Sequence, residues 1–168
     1  AASFPLTYPT AEDRFGAFLT VSNPGTVALI GDLYGGEDYT YGIMVGHQAL
    51  VLVAIAAALM SIFTLVRHTR TEEETGRAEL VRSSVVGRYA TATAAVIVVV
   101  GANLALALLL AAGLGSLGIE TVTWEGSVLF GAAIGATGLV FAGVAAITAQ
   151  LTESARTASS SAALVLAG

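Results

Sequence analysis

The chain has no cysteine and no lysine. Without Cys there is no disulfide, no thiolate metal site and no Cys nucleophile. Without Lys the G-x-x-x-x-G-K-[ST] phosphate loop cannot be written within these residues, so any ATP hydrolysis belongs to another chain or to further sequence. Histidine is nearly as scarce: His47 and His68 are the only two, they form no H-E-x-x-H pair, and no metal site is expected. Ser159 to Ser161 have no His/Asp spacing that would make one of them a nucleophile and read as a small-residue helix surface. Charge is sparse as well: 11% of residues are charged, against about 25% in an ordinary soluble domain.

What is present is apolar. The chain of 168 residues is 55% hydrophobic, with a mean hydropathy of +0.80. Three runs lack Asp, Glu, Lys and Arg altogether: residues 39–66, 89–119 and 126–152, of 28, 31 and 27 residues. A hydrocarbon layer about 30 Å thick takes roughly 20 helical residues to cross, and buried helices of soluble proteins rarely sustain such lengths without a charged face. The runs are continuous rather than alternating, which excludes barrel strands. The first lies too far along the chain to be a signal peptide. The fold expected is all-α, a polytopic transmembrane bundle with spans at 39–66, 89–113 and 126–150. A fourth span would begin at 158–168, after a turn at 151–157. The first residue is Ala and the last lie inside a short apolar run, so the chain reads as part of a longer one.

Arginine sets the expected orientation. Five of the seven Arg fall in residues 67–88 and one more in 153–156, whereas residues 1–38 and 120–125 hold only Arg14. Loops rich in Arg stay cytoplasmic, which puts 67–88 and 151–157 inside and 1–38 and 114–125 outside. Tyr39, Tyr41, Tyr89 and Trp124 stand near the expected span ends, where interfacial aromatics belong. In the first segment Thr10 can cap a helix with Glu12 and Asp13 in its first turn. Asn23-Pro24 can start a second, with Pro at its first position. Two short helices over the mouth of the bundle are expected, a loose connector being the alternative.

The stretch RHTRTEEETGRAELVRSSVVGR, residues 67–88, mixes four Glu among its Arg. Thr71 and Glu74 fit a capping box. Glu73 and Arg77 are spaced i, i+4 in the favourable order, and Ala78, Val81 and Val85 form an apolar stripe. A loop serving topology alone would need the Arg but not the Glu. An anionic lipid surface would likewise select Arg without Glu. A mixed-charge amphipathic helix suits a protein partner.

This stretch, set directly between two spans, resembles the cytoplasmic segment of ATP-binding-cassette exporter permeases, and most nearly that of the polyketide-antibiotic (tetronasin-type) exporters. Glu72, Glu73, Glu74, Gly76, Arg77, Glu79 and Leu80 carry the likeness. The stretches SFPLTYPTAEDR and QLTESAR are also similar to that subgroup. The resemblance implies that residues 67–88 are the coupling helix docked on a separate cytoplasmic ATPase, itself a dimer, with no catalytic residue in this chain. It implies ATP and Mg on that partner, no cofactor here and no nucleic acid. It further implies a multi-pass protein of the cell membrane that exports drug-like or polyketide-like amphiphiles by alternating access.

Within the spans, His47 is the only ionisable candidate, read either as a satisfied interfacial side chain or as part of a substrate path. Asn103 is expensive to expose to lipid, so it bonds a neighbouring helix or lines that path. Gly131 and Gly135 form a GxxxG pair that lets helix backbones approach. Two further classes stay open from the residues alone: an ion-coupled secondary transporter, and a non-transporting membrane scaffold that recruits a cytoplasmic partner.

Overall fold

The computed structural model describes residues 1–71, 90–151 and 155–167. Every regular element among them is helical. Three short helices come first: α1, Phe4–Thr7; α2, Ala11–Val21; and α3, Pro24–Ile30. Four longer ones follow: α4, Tyr41–Val66; α5, Ala90–Gly115; α6, Trp124–Leu151; and α7, Ala155–Ala167. The chain is a multi-pass helical membrane protein. Its segments Tyr41–Thr69, Ala92–Gly115 and Trp124–Leu151, of 29, 24 and 28 residues, are each long and apolar enough to cross a bilayer. Helices are the form such runs must take, because lipid offers no partner to a free N–H or C=O.

The local starts follow from side-chain chemistry. Thr10 accepts from the Asp13 N–H, and the Asp13 carboxylate takes the Thr10 N–H and hydroxyl in return, closing a capping box on α2. These bonds favour the ionised form and hold the Asp13 carboxyl below its usual value. Asn23 accepts from the Thr26 N–H at 2.9 Å, and Pro24 supplies a first residue that has no N–H to leave unpaired. α4 does not stop at Val66 but widens into a π turn over Arg67–Thr71. There the Thr69 hydroxyl donates to the Leu65 carbonyl at 2.9 Å.

Two compact units are distinguishable. One comprises Ala1–Val53 with Ala107–Ala133; the other comprises Ala54–Leu106 with Ile134–Gly168. In the first, Tyr39, Tyr41 and Met44 are buried together, and Phe4, Tyr8, Phe18, Ile119 and Val122 pack against them. In the second, Ile62, Leu65 and Val66 of α4 meet Ala95 and Val99 of α5, Ala145 and Ala149 of α6, and Ala158 and Ala162 of α7.

Alanine dominates that second core, while large side chains point outward: Val140 is 63% exposed, Ile147 62% and Leu104 56%. In water this would be an aggregating surface. In lipid a Leu gains little by leaving the hydrocarbon, and small residues win the interior because they let backbones come close. Gly131 on α6 shows the limit within the first unit. It is buried, and a methyl placed on it would run into the Ala107 carbonyl and the Ala111 N–H of α5. Gly135, its partner in the GxxxG pair, is buried too. Gly101 on α5, by contrast, faces open space. Gly131→Val is therefore expected to destabilise the chain by about 1–3 kcal/mol through overpacking. Gly101→Ala should stay within about 0.5 kcal/mol. Unfolding of the two variants in mixed detergent micelles checks the difference.

Candidate functional site

In the first unit the site grows from the residues that lead into α4. Arg14 of α2 donates through Nε to the Tyr39 carbonyl at 3.2 Å and through a terminal nitrogen to the Tyr41 hydroxyl at 3.4 Å. Its guanidinium lies 4.9 Å from the centre of the Tyr41 ring. Tyr41 in turn donates to the Tyr8 carbonyl at 2.9 Å. These contacts give the lone Arg of this segment a structural task, tying α2 to the entry of the first span. Tyr39 is almost wholly buried, with Phe18 edge-on at 5.3 Å and His47 stacked at 5.6 Å. Burial, with Tyr34 and Tyr8 nearby, raises its phenol above the usual value and keeps it protonated.

His47 sits inside this aromatic cluster, 5% exposed. Its Nδ1 lies 3.2 Å from the Tyr39 hydroxyl, Tyr34 meets it edge-on at 4.6 Å, and its Nε2 is buried with no partner among the described residues.

Beside the cluster the loop between α5 and α6 closes over the start of α4. Thr121 adopts φ 71°, a left-handed conformation that a β-branched residue rarely takes. That conformation brings its carbonyl against the Cα of Gly42, where a Cβ would not fit, and its hydroxyl oxygen accepts from the Gly42 N–H at 3.3 Å. Between these parts lies a cavity of about 420 Å³. Its apolar wall includes Ile43, Leu114 and Phe130; hydroxyl side chains, Thr121 and Thr123 among them, interrupt it, and among the described residues no Asp, Glu or Arg lines it. Volume and mixed polarity fall in the range of small-molecule sites, about 300–1,000 Å³.

The second unit holds a different polar node. Asn103 of α5 is fully buried and donates through Nδ2 to Ser61 Oγ of α4 and to the Val99 carbonyl, both at 2.9 Å. Its Oδ1 has no hydrogen-bond partner among the described residues and lies against Gly138 of α6, where any Cβ would displace it. Three helices thus meet at one amide, and Asn103 bonds a neighbouring helix.

The residues singled out from the sequence therefore separate. His47 and Gly131 belong to the first unit, Asn103 and Gly135 to the second. Glu72, Glu73, Glu74, Gly76, Arg77, Glu79 and Leu80 lie outside the described residues, as does Glu74's half of the cap expected with Thr71. Sequence reasoning did not find Ser61, Thr121 or the cavity, and it saw Gly138 only as a small packing residue after the GxxxG pair. No pattern in the residues pointed there, since Ser, Thr and Gly recur along these helices.

No family model and no solved structure matches this chain. It is similar to the multidrug efflux system permease protein of Mycobacterium tuberculosis (strain ATCC 25618 / H37Rv), 40% identical over 158 residues. The matched region is 92% of this chain and 27% of that protein, so the chain spans about a quarter of the length of its curated relative. The likeness supports an efflux-permease family.

The Asn103 node yields a compensation test. Gly138→Ala should cost about 1–3 kcal/mol by crowding the amide. Adding Asn103→Ala removes the obstruction, so the double variant should be less destabilised than the sum of the two single changes. A double-mutant cycle measured by unfolding in detergent checks the sign of the coupling.

Proposed function

We propose that this chain is a membrane-spanning portion of a drug-exporting permease, driven by a separate cytoplasmic ATPase that docks on residues 67–88. The observation that carries the reading is the 40% identity over 92% of the chain to a protein named as a multidrug efflux permease. The three apolar helices fit it, and the sequence between the first two gathers five Arg and four Glu that suit a protein partner. In this reading 67–88 and 151–157 face the cytoplasm, 1–38 and 114–125 face outward, and the membrane is the cell membrane. ATP and Mg act on the partner subunit, and the cargo is a drug-like or polyketide-like amphiphile moved by alternating access. The polyketide-exporter subgroup rests on the EEExGRxEL stretch, Glu72 to Leu80.

The experiment uses the full-length permease with its ATPase in sealed vesicles. Glu73→Arg with Glu74→Arg should leave membrane insertion intact while abolishing substrate-stimulated ATP hydrolysis by at least about tenfold, the scale expected when a docked charge pair is inverted. Unchanged stimulation and unchanged co-purification of the ATPase would show that the segment is not the docking site. Dye efflux that persists without ATP and collapses with a protonophore would replace this reading by ion-coupled transport.

A further inference from the structure

Three threonines on the wall of the 420 Å³ cavity are already committed on one side. Thr40 Oγ1 accepts from the Ile43 N–H at 3.4 Å, Thr121 Oγ1 from the Gly42 N–H at 3.3 Å, and Thr123 Oγ1 from the Gly126 N–H at 3.1 Å. A hydroxyl whose oxygen receives a backbone N–H still has its own proton to donate, and no protein acceptor takes these protons among the described residues. Ser127, also on the wall, is spent: its hydroxyl donates to the Thr123 carbonyl at 2.8 Å. The cavity therefore offers hydrogen-bond donors on an apolar surface, with neither a cation nor an anion in its lining among the described residues. A charged ligand would lose its hydration there without an opposite charge to replace it.

We propose that this cavity is a binding site for uncharged amphiphiles that carry acceptor oxygens, such as ketones, esters or ethers, on an apolar body. Thr40, Thr121 and Thr123 donate to those oxygens, and Ile43, Leu114 and Phe130 cover the rest. Thr121 reaches this wall in a left-handed conformation, so the fold holds a costly backbone geometry at one of the three donors. The proposal deepens the permease reading and rests on it for the ligand's being cargo.

Thr123 makes the site testable without breaking the fold. It is the N-cap of α6, and Asp caps at least as well as Thr. Thr123→Asp thus keeps the helix start while replacing a donor by an anion, and Thr123→Ser keeps both cap and donor. The probe is tritiated progesterone, a neutral diketone, bound to the purified full-length permease in nanodiscs; the cation tetraphenylphosphonium is the competitor. Saturable progesterone binding is expected in the wild type and in Thr123→Ser. Thr123→Asp should weaken it about tenfold or more and let tetraphenylphosphonium bind, and Ala133→Trp, which fills the cavity from α6, should abolish it.

Absence of saturable binding in the wild type overturns the proposal. So does equal loss in Thr123→Ser and Thr123→Asp, or a co-purified phospholipid that Ala133→Trp expels while progesterone binding stays unchanged. Binding that maps as expected, in a complex that moves no substrate with ATP, would leave the site standing and remove the permease reading. ATP-driven efflux with no binding at these residues would do the reverse.

Discussion

Everything in this structure depends on how closely two helix backbones can approach. Between lipid-embedded helices the hydrophobic effect gives little, since a Leu side chain is as well solvated by acyl chains as by another helix. What remains is dispersion, which falls away within an ångström of extra separation, and a few polar bonds. The second core answers with Ala at five of its buried positions, beside Ile62, Leu65, Val66 and Val99, while many other Leu, Ile and Val face out. At Gly131 the α5 carbonyl of Ala107 occupies the space a side chain would need. At Gly138 the same vacancy receives an amide. One small residue thus serves two purposes: close packing in the first unit, and room for a polar group in the second.

The Asn103 node illustrates why so few polar groups are tolerated and why they are placed with care. Its Nδ2 has two acceptors while its Oδ1 has no hydrogen-bond partner among the described residues. That oxygen lies against Gly138, where a weak Cα–H contact is an available compensation. The node ties the rotation of α4 to that of α5, because turning either by one residue would part the Asn103 amide from Ser61, and α6 must keep Gly138 against the amide. A core of Ala alone permits several nearly equal registers; one costly polar side chain selects among them, as a single buried Asn does in a coiled coil.

How much of this could be read from the residues varied with the kind of signal. The long helices were legible because a charge-free run of such length has few alternatives. The starts of α2 and α3 were legible because Thr10 and Asn23 sit at the right offset from Asp13 and Pro24. Asn103 was recognisable as expensive, but its partner was not: Ser61 lies 42 residues away, and a helical Ser ordinarily bonds its own backbone. The GxxxG pair drew attention to Gly131, whereas Gly138, which accommodates the amide, looked like any other Gly of a Gly-rich helix. Thr121 was invisible, since nothing in a Thr predicts a positive φ. The cavity could not be foreseen at all, because it is assembled from the start of α4 and the loop before α6, far apart in the chain.

On the proposed reading of the cavity, recognition arises from residues chosen for another task. A helix start needs an oxygen to satisfy an unpaired N–H, and a membrane protein needs that oxygen without adding charge. Threonine meets both needs, and Asp would meet only the first. Thr40 and Thr123 are used in this way, and each keeps a proton to donate; Thr121 joins them only through a left-handed backbone that is itself costly. The charged groups are meanwhile concentrated elsewhere, most densely in residues 67–88. A neutral, donor-lined cavity in one part of the chain and a dense charged segment in another follow from the same constraint: lipid excludes ions but tolerates hydroxyls whose oxygens are already engaged.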